Sequence, residues 1–266
     1  MAATAVNPAA GQRGYVHAVR MENIQMRFGH VVALRDITLE VGANEIVGLI
    51  GDNGAGKSTL IKIITGVYRP TSGRLYVRDR LVDFDRYSAS RAHDLRIEAV
   101  HQEKSLGEKQ PLWRNFFVGR QITNRFGFID VRRQKEIANR ILKEEIGFRG
   151  AGIDADSTVR DLSGGERQGV AIGRAMHFDA DLIVLDEPTV ALALKEVRKV
   201  LDFVRAIKAS GRACVYIEHN LAHVHELADR LVVLDRGEIV ATIRRGEMTL
   251  PELTTCLVEL QGPREA

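Results

Sequence analysis

The residues best equipped for chemistry lie in one short run, Gly51-Asp52-Asn53-Gly54-Ala55-Gly56-Lys57-Ser58-Thr59. Their spacing fits G-x-x-x-x-G-K-[ST], a loop that cradles phosphates. Gly51, Gly54 and Gly56 let the backbone curl so that several N–H groups point at one phosphate chain. A helix starting at the end of the run adds free N–H groups and the positive end of its dipole. Lys57 supplies a point charge for the β- and γ-phosphates of a nucleotide, and Ser58 a hydroxyl for Mg²⁺. A second run, Asp181-Leu182-Ile183-Val184-Leu185-Asp186-Glu187-Pro188-Thr189, ends four apolar residues with two carboxylates. There Asp186 can hold Mg²⁺ through water and Glu187 can polarise an attacking water. Ala213-Cys214-Val215-Tyr216-Ile217-Glu218-His219 repeats the design with His219 at its tip, placed to hydrogen-bond a γ-phosphate and sense its loss. Gln102 follows a further apolar run and could reach Mg²⁺ or the γ-phosphate. Leu162-Ser163-Gly164-Gly165-Glu166-Arg167-Gln168 opens a helix in which Ser163 is a good N-cap. Ser163, Gly164 and Gly165 leave its backbone open to an anion.

The elements that must position these groups are legible in the pattern of apolar residues. Glu45 to Ile50 reads as a short buried strand and Leu60 to Ile64 as the helix after the loop. Leu182 to Leu185 is apolar throughout, as expected of a strand buried on both faces in a parallel sheet. Before the loop, Met21 to Phe28 and Val31 to Val41 alternate about Gly29-His30, which predicts antiparallel strands joined by a turn. Phe28, at a strand end, could stack on an adenine or simply pack in the core. Arg74–Val77 and Leu81–Phe84 predict a hairpin. From Pro111 to Ile153 the period turns helical: Trp113, Phe116 and Phe117 form either core or a docking surface, and Ile137, Ile141, Leu142 and Ile146 mark an amphipathic helix. Val197 to Ile207 reads as a helix, Leu231 to Val240 as a closing hairpin and Leu250 to Leu260 as a last helix.

Composition excludes some classes. The 266 residues carry 38 Lys and Arg against 35 Asp and Glu, a net charge of +3, too small an excess to argue for nucleic acid. Cys214 and Cys256 have no metal-type spacing and read as inert thiols of a reducing compartment. His219, His223 and His225 lack a Cys or carboxylate to complete a metal site. No run of eighteen apolar residues spans a membrane, and the N-terminus lacks the apolar core of a secretion signal.

These motifs, in this order, resemble the nucleotide-binding subunit of an ATP-binding cassette (ABC) transporter over about residues 15–260. Phe28 falls at the adenine-stacking aromatic, Gly51 to Ser58 at Walker A, Gln102 at the Q-loop, Leu162 to Gln168 at the signature, Leu185-Asp186-Glu187 at Walker B and His219 at the switch histidine. The resemblance implies an α/β P-loop NTPase fold with a mainly parallel core sheet, an N-terminal antiparallel β subdomain and a helical subdomain over about 104–178. Outside residues 15–260, Met1 to about Gly14, rich in Ala and Gly, reads as a flexible tail, and 261–266 as a C-terminal tail. The resemblance also implies a head-to-tail homodimer sandwiching two ATP molecules, each on Walker A of one chain and under Ser163 and Gly165 of the other. Glu187 would be the general base, with His219 and Gln102 positioning the γ-phosphate and Ser58, Asp186 and Gln102 holding Mg²⁺. Partners would be membrane permease subunits and, indirectly, a periplasmic or extracellular solute-binding protein, at the cytoplasmic face of the inner membrane.

His101-Gln102-Glu103 and the residues after Walker B resemble monosaccharide importers of the ribose, xylose or fructose type. Two features depart from the pattern. Those importers usually carry two nucleotide domains in one chain, and one is visible here. The common loop S-A-L-D after Walker B is Val190-Ala191-Leu192-Ala193, so its Asp is missing. No long C-terminal regulatory domain of the maltose-importer type is expected. The rival readings are a soluble ABC ATPase of the iron–sulfur assembly type and an importer for a non-sugar solute.

Overall fold

The strand that leads into the phosphate loop, β3 (Ile46–Ile50), is buried at every residue, as a continuous apolar run inside a parallel sheet must be. The computed structural model describes residues 14–100, 106–148 and 152–261. Two long strands precede β3. β1 (His17–Phe28) and β2 (Val31–Gly42) pair antiparallel, from His17 opposite Gly42 to Phe28 opposite Val31, with the expected turn at Gly29-His30. After the loop come α1 (Lys57–Ile64), β4 (Ser72–Val77), β5 (Arg80–Leu81), α2 (Ala89–Asp94) and β6 (Ile97–Val100). The hairpin of β4 and β5 is shorter than expected. Val82 N–H still donates to the Leu75 carbonyl, but Asp83 then accepts from the Asp85 N–H, and this local turn draws Asp83 and Phe84 out of the ladder.

The chain continues through α3 (Leu112–Phe116), α4 (Val131–Arg140, extended by a π turn over Ile141–Glu145), α5 (Gly164–His177), β7 (Leu182–Asp186), α6 (Leu194–Ala209), β8 (Ala213–Ile217), α7 (Leu221–Leu227), β9 (Arg230–Asp235), β10 (Glu238–Arg244) and α8 (Leu250–Gln261). It forms two compact units. The first comprises the chain up to Ala99, Ala180–Glu187 and everything from Val204 onward; the second is the remainder.

In the first unit a four-stranded sheet has the order β2-β1-β4-β5 and a six-stranded sheet the order β10-β9-β3-β8-β7-β6. β3 runs parallel to both β8 and β9, β7 runs parallel to β8, and β10 closes the edge antiparallel to β9. The parallel strands therefore end side by side, and in such sheets ligands bind beyond the carboxyl ends of the strands. The core draws on both sheets and on α1, with Met21, Leu34, Leu49, Leu60, Ile63, Val184 and Val215 fully buried.

In the second unit, Leu112, Trp113, Phe116, Phe117, Ile141, Leu142 and Val170 share one core. Trp113 is 7% exposed, Phe116 0% and Phe117 1%, which decides for core over docking surface. α5 approaches its neighbours closely through Gly169, beside Phe203, and Gly173, beside Ile146.

Candidate functional site

The phosphate loop leaves β3 at Gly51 and enters α1 at Lys57. Two of its glycines are required by space. A Cβ on Gly51 would fall 2.1 Å from the Leu234 carbonyl oxygen. One on Gly56, where φ is +108°, would fall 2.7 Å from Leu34 Cδ2 and 2.9 Å from the Ala33 carbonyl oxygen. The loop is thus threaded between β2 and β9 by backbone alone. Asp52, Asn53 and Gly54 are exposed at its tip, Ala55 is buried, and Ser58 and Thr59 lie in the first turn of α1. That turn holds no acidic side chain, so no carboxylate within it offsets the positive end of the helix dipole.

Lys57 is only 7% exposed. Its Nζ donates to the carbonyl oxygens of Gly51 at 2.5 Å and Asp52 at 2.9 Å, folding the cation back over its own loop. Burial pulls its pKa below the usual lysine range, and the charges of Glu187, Asp52 and Asp186 oppose that shift. The field of both carboxylates at the end of β7 therefore reaches the lysine, and the two motifs lie together as their chemistry demands.

β7 delivers the carboxylates. Asp186 is its last residue and pairs with Ile217 of β8. Glu187 then turns out of the strand with φ +51°, its N–H donating to the Ile217 carbonyl at 3.0 Å. A non-glycine residue in this region is strained by about 1–3 kcal/mol, a cost that recurs at functional sites. The turn carries Glu187 toward the end of β8, where His219 Nε2 lies 2.7 Å from Glu187 Oε1. A carboxylate only accepts, so Nε2 bears the proton and donates. The His219 N–H is in turn held at 2.9 Å by Glu218 Oε1, from a side chain that is buried.

Phe28 is 43% exposed at the end of β1, edge-on to Tyr68 with ring centroids 5.3 Å apart. It is not core. Tyr68, which also carries Lys62 over its ring at 5.1 Å, completes an aromatic ledge that the sequence pattern did not reveal. His225 Nε2 donates to the Met248 carbonyl at 2.9 Å. Gln102 lies outside the described residues.

The signature residues are built into the second unit. Ser163 caps α5 in a reciprocal box: its Oγ accepts from the Glu166 N–H at 3.3 Å, and Glu166 Oε2 accepts from the Ser163 N–H at 2.8 Å. Gly165 is buried beneath the start of α6, its N–H donating to Glu196 Oε1 at 3.2 Å. Glu196 escaped the motif reading because no local pattern marks it.

Mg²⁺ fits the donors present. Ser58 and Asp186 offer hard oxygens, a donor set that suits an ion which keeps waters and phosphate oxygens as most of its ligands.

Comparison with known proteins agrees with this geometry. A family model described as "ABC transporter" matches residues 34–190, more than half of the chain. The chain belongs to the ABC transporter family. Among similar ABC proteins, the xylose/arabinose import ATP-binding protein of Sulfolobus acidocaldarius is 39% identical over 236 residues, covering 89% of this chain and 92% of that protein. A ribose import ATP-binding protein of Rubrobacter xylanophilus is 35% identical over 90% of this chain but only 47% of its own length. The chain thus spans about half the length of the ribose relatives it matches. Among solved structures, a nucleotide-free ATP-binding cassette from an ABC transporter superposes with TM-score 0.78 at 27% identity, covering 92% of this chain and 98% of that one. The ADP conformation of another such cassette gives 0.77 at 26% identity, with the same coverage. The fold is that of an ABC ATPase cassette. No described helix is long and apolar enough to cross a membrane.

Proposed function

We propose that this chain is the ATP-hydrolysing subunit of an importer that carries a monosaccharide through a membrane permease. The observation that supports hydrolysis most directly is the Glu187–His219 pair at 2.7 Å, set in the field of Lys57. Walker A binds the nucleotide: the backbone of Gly51 to Gly56 and the first turn of α1 cradle the phosphates. Lys57 leaves the carbonyls of Gly51 and Asp52 for the β- and γ-phosphates, exchanging two neutral acceptors for a charged one. Phe28 stacks on the adenine. Ser58 and Asp186, with Gln102, hold Mg²⁺, which when bound neutralises charge on the β- and γ-oxygens. Glu187 is the general base for the in-line water, and His219 holds its carboxylate in place and reads the γ-phosphate. Ser163, Gly164 and Gly165 offer the start of α5 to the nucleotide of a second cassette, so closure of a dimer completes each site.

The sugar class rests on the relatives, whose names specify xylose, arabinose and ribose import; a pentose is the cargo they favour. The permease and a solute-binding protein select it, and this chain acts as a peripheral subunit on the cytoplasmic face of the membrane. The test is to isolate the chain from detergent-solubilised membranes and identify what accompanies it. A polytopic permease is expected, with a neighbouring binding protein that takes up pentoses in a ligand screen. Recovery with soluble partners alone would overturn the transport role.

A further inference from the structure

The loop after Walker B lacks the aspartate common in its family, and the structure offers a different link in the same place. Val190-Ala191-Leu192-Ala193 leads into α6, where the Ala193 carbonyl accepts from the N–H groups of Glu196 at 2.8 Å and Val197 at 3.0 Å. The Glu196 side chain then joins two motifs. Its Oε2 accepts from the Ala193 N–H at 3.2 Å, and its Oε1 accepts from the Gly165 N–H of the signature at 3.2 Å. The packing is equally close. A Cβ on Gly165 would fall 2.8 Å from Glu196 Cβ, and one on Gly164 would fall 2.6 Å from Leu192 Cδ2. Gly165 is thus needed for Glu196 to lie against the start of α5, whereas at Gly164 only the tip of the Leu192 side chain would have to move. The Gly165 N–H foremost, then the Ser163 side chain and the Ala193 N–H, hold the Glu196 carboxyl below the usual glutamate range.

We infer that Glu196 is a positioning residue that couples the loop 190–193 to the signature, in place of the missing aspartate. This inference rests on the hydrolysis proposed above. A shift of the loop pulls on Ala193, and the carboxylate passes the shift to the Gly165 backbone and so to the start of α5, whose exposed Ser163 is offered to the nucleotide of the partner cassette. The bland reading is that Glu196 merely caps α6, since it also satisfies an N–H at the helix start.

One set of variants separates the two readings. Glu196→Ala removes cap and link together. Adding Ala193→Ser restores a side-chain cap at the N-cap position without reinstating the family's aspartate, and it leaves Gly165 without its acceptor. In the assembled transporter, Glu196→Ala is expected to lower the kcat for ATP by roughly 2- to 30-fold, the range found for coupling residues. Nucleotide affinity of the isolated chain should be unchanged. The double variant should regain the Tm of the original chain but not its kcat, and Glu196→Gln, which keeps one acceptor oxygen, should recover part of the kcat. Recovery of both Tm and kcat in the double variant would reduce Glu196 to a cap and overturn the inference, as would an unchanged kcat in Glu196→Ala. Failure of the parent reading would look different, because the unmodified transporter would then hydrolyse no ATP.

Discussion

Glu187 is held by three constraints that act on one residue: a left-handed backbone, an N–H donated to Ile217 and a carboxylate bonded to His219. Glutamine is the right probe of its chemistry. It fits the same backbone, and its Oε1 can still accept from His219 Nε2–H, so the local geometry survives while the base is lost. Glu187→Gln is expected to lower the kcat for ATP by about 10²- to 10⁴-fold, the usual contribution of a general base, with ATP affinity unchanged. Calorimetry alongside a phosphate-release assay checks both, and ordinary turnover in the variant would remove Glu187 from the role. Lys57 tests binding instead. Its hydrogen bonds to the loop carbonyls are neutral in acceptor, whereas those to phosphate are charge-assisted and about 1.5–3 kcal/mol each. Lys57→Ala should therefore weaken ATP by roughly 10- to 150-fold, read by titration calorimetry. Unchanged affinity would discredit the phosphate-loop assignment.

At the level of elements, the loop is placed by what its glycines leave out. Gly56→Ala adds a methyl where the Ala33 carbonyl already stands, at a φ that alanine rarely adopts. We expect a folded chain with near-native far-ultraviolet circular dichroism and severely weakened nucleotide binding; native affinity would show that the loop can yield. Ser163→Ala removes one arm of the box at the start of α5 and should cost about 1 kcal/mol of stability, measured by urea denaturation. What the sequence disclosed follows the same division. Motifs with fixed spacing, such as Gly51 to Ser58 or Ser163 to Glu166, were legible because their chemistry is local, and so was β3, an unbroken apolar run. α7 was not anticipated, because at seven residues it offers only two turns of period; the signal lay in Leu221, Val224 and Leu227 at helical spacing behind Asn220, whose Oδ1 accepts from the Ala222 N–H and caps it. The Phe28–Tyr68 ledge and the Glu196–Gly165 bond join residues far apart in sequence, 31 positions in the latter case. Such contacts exist only once the units have folded.

For the whole molecule, the two cysteines report on different depths of the first unit. Cys214 lies in the middle of β8, fully buried between β3 and β7, and burial raises its thiol well above the usual range. A thiol so placed is unreactive until its strand opens. Cys256 is half-buried on α8. In the native chain a thiol reagent should therefore modify Cys256 promptly and Cys214 only as fast as the sheet unfolds. Nucleotide that binds the folded form alone shifts that equilibrium by mass action. At a free concentration of ATP and Mg²⁺ one hundred times Kd, the gain is about 2.7 kcal/mol. When opening and closing are fast relative to labelling, modification of Cys214 should then slow by roughly 100-fold. The Glu187→Gln background keeps the ATP intact during the measurement. Cys256 serves as the internal control and should hardly respond, since its exposure does not depend on global opening. In Lys57→Ala the protection of Cys214 at the same ATP concentration should fall from roughly 100-fold to about 2- to 11-fold, because Kd rises while the ligand concentration does not. Cys214 that labels at the rate of Cys256, or undiminished protection after the loss of Lys57, would mean that the phosphate loop is not what ties nucleotide binding to the stability of the central sheet.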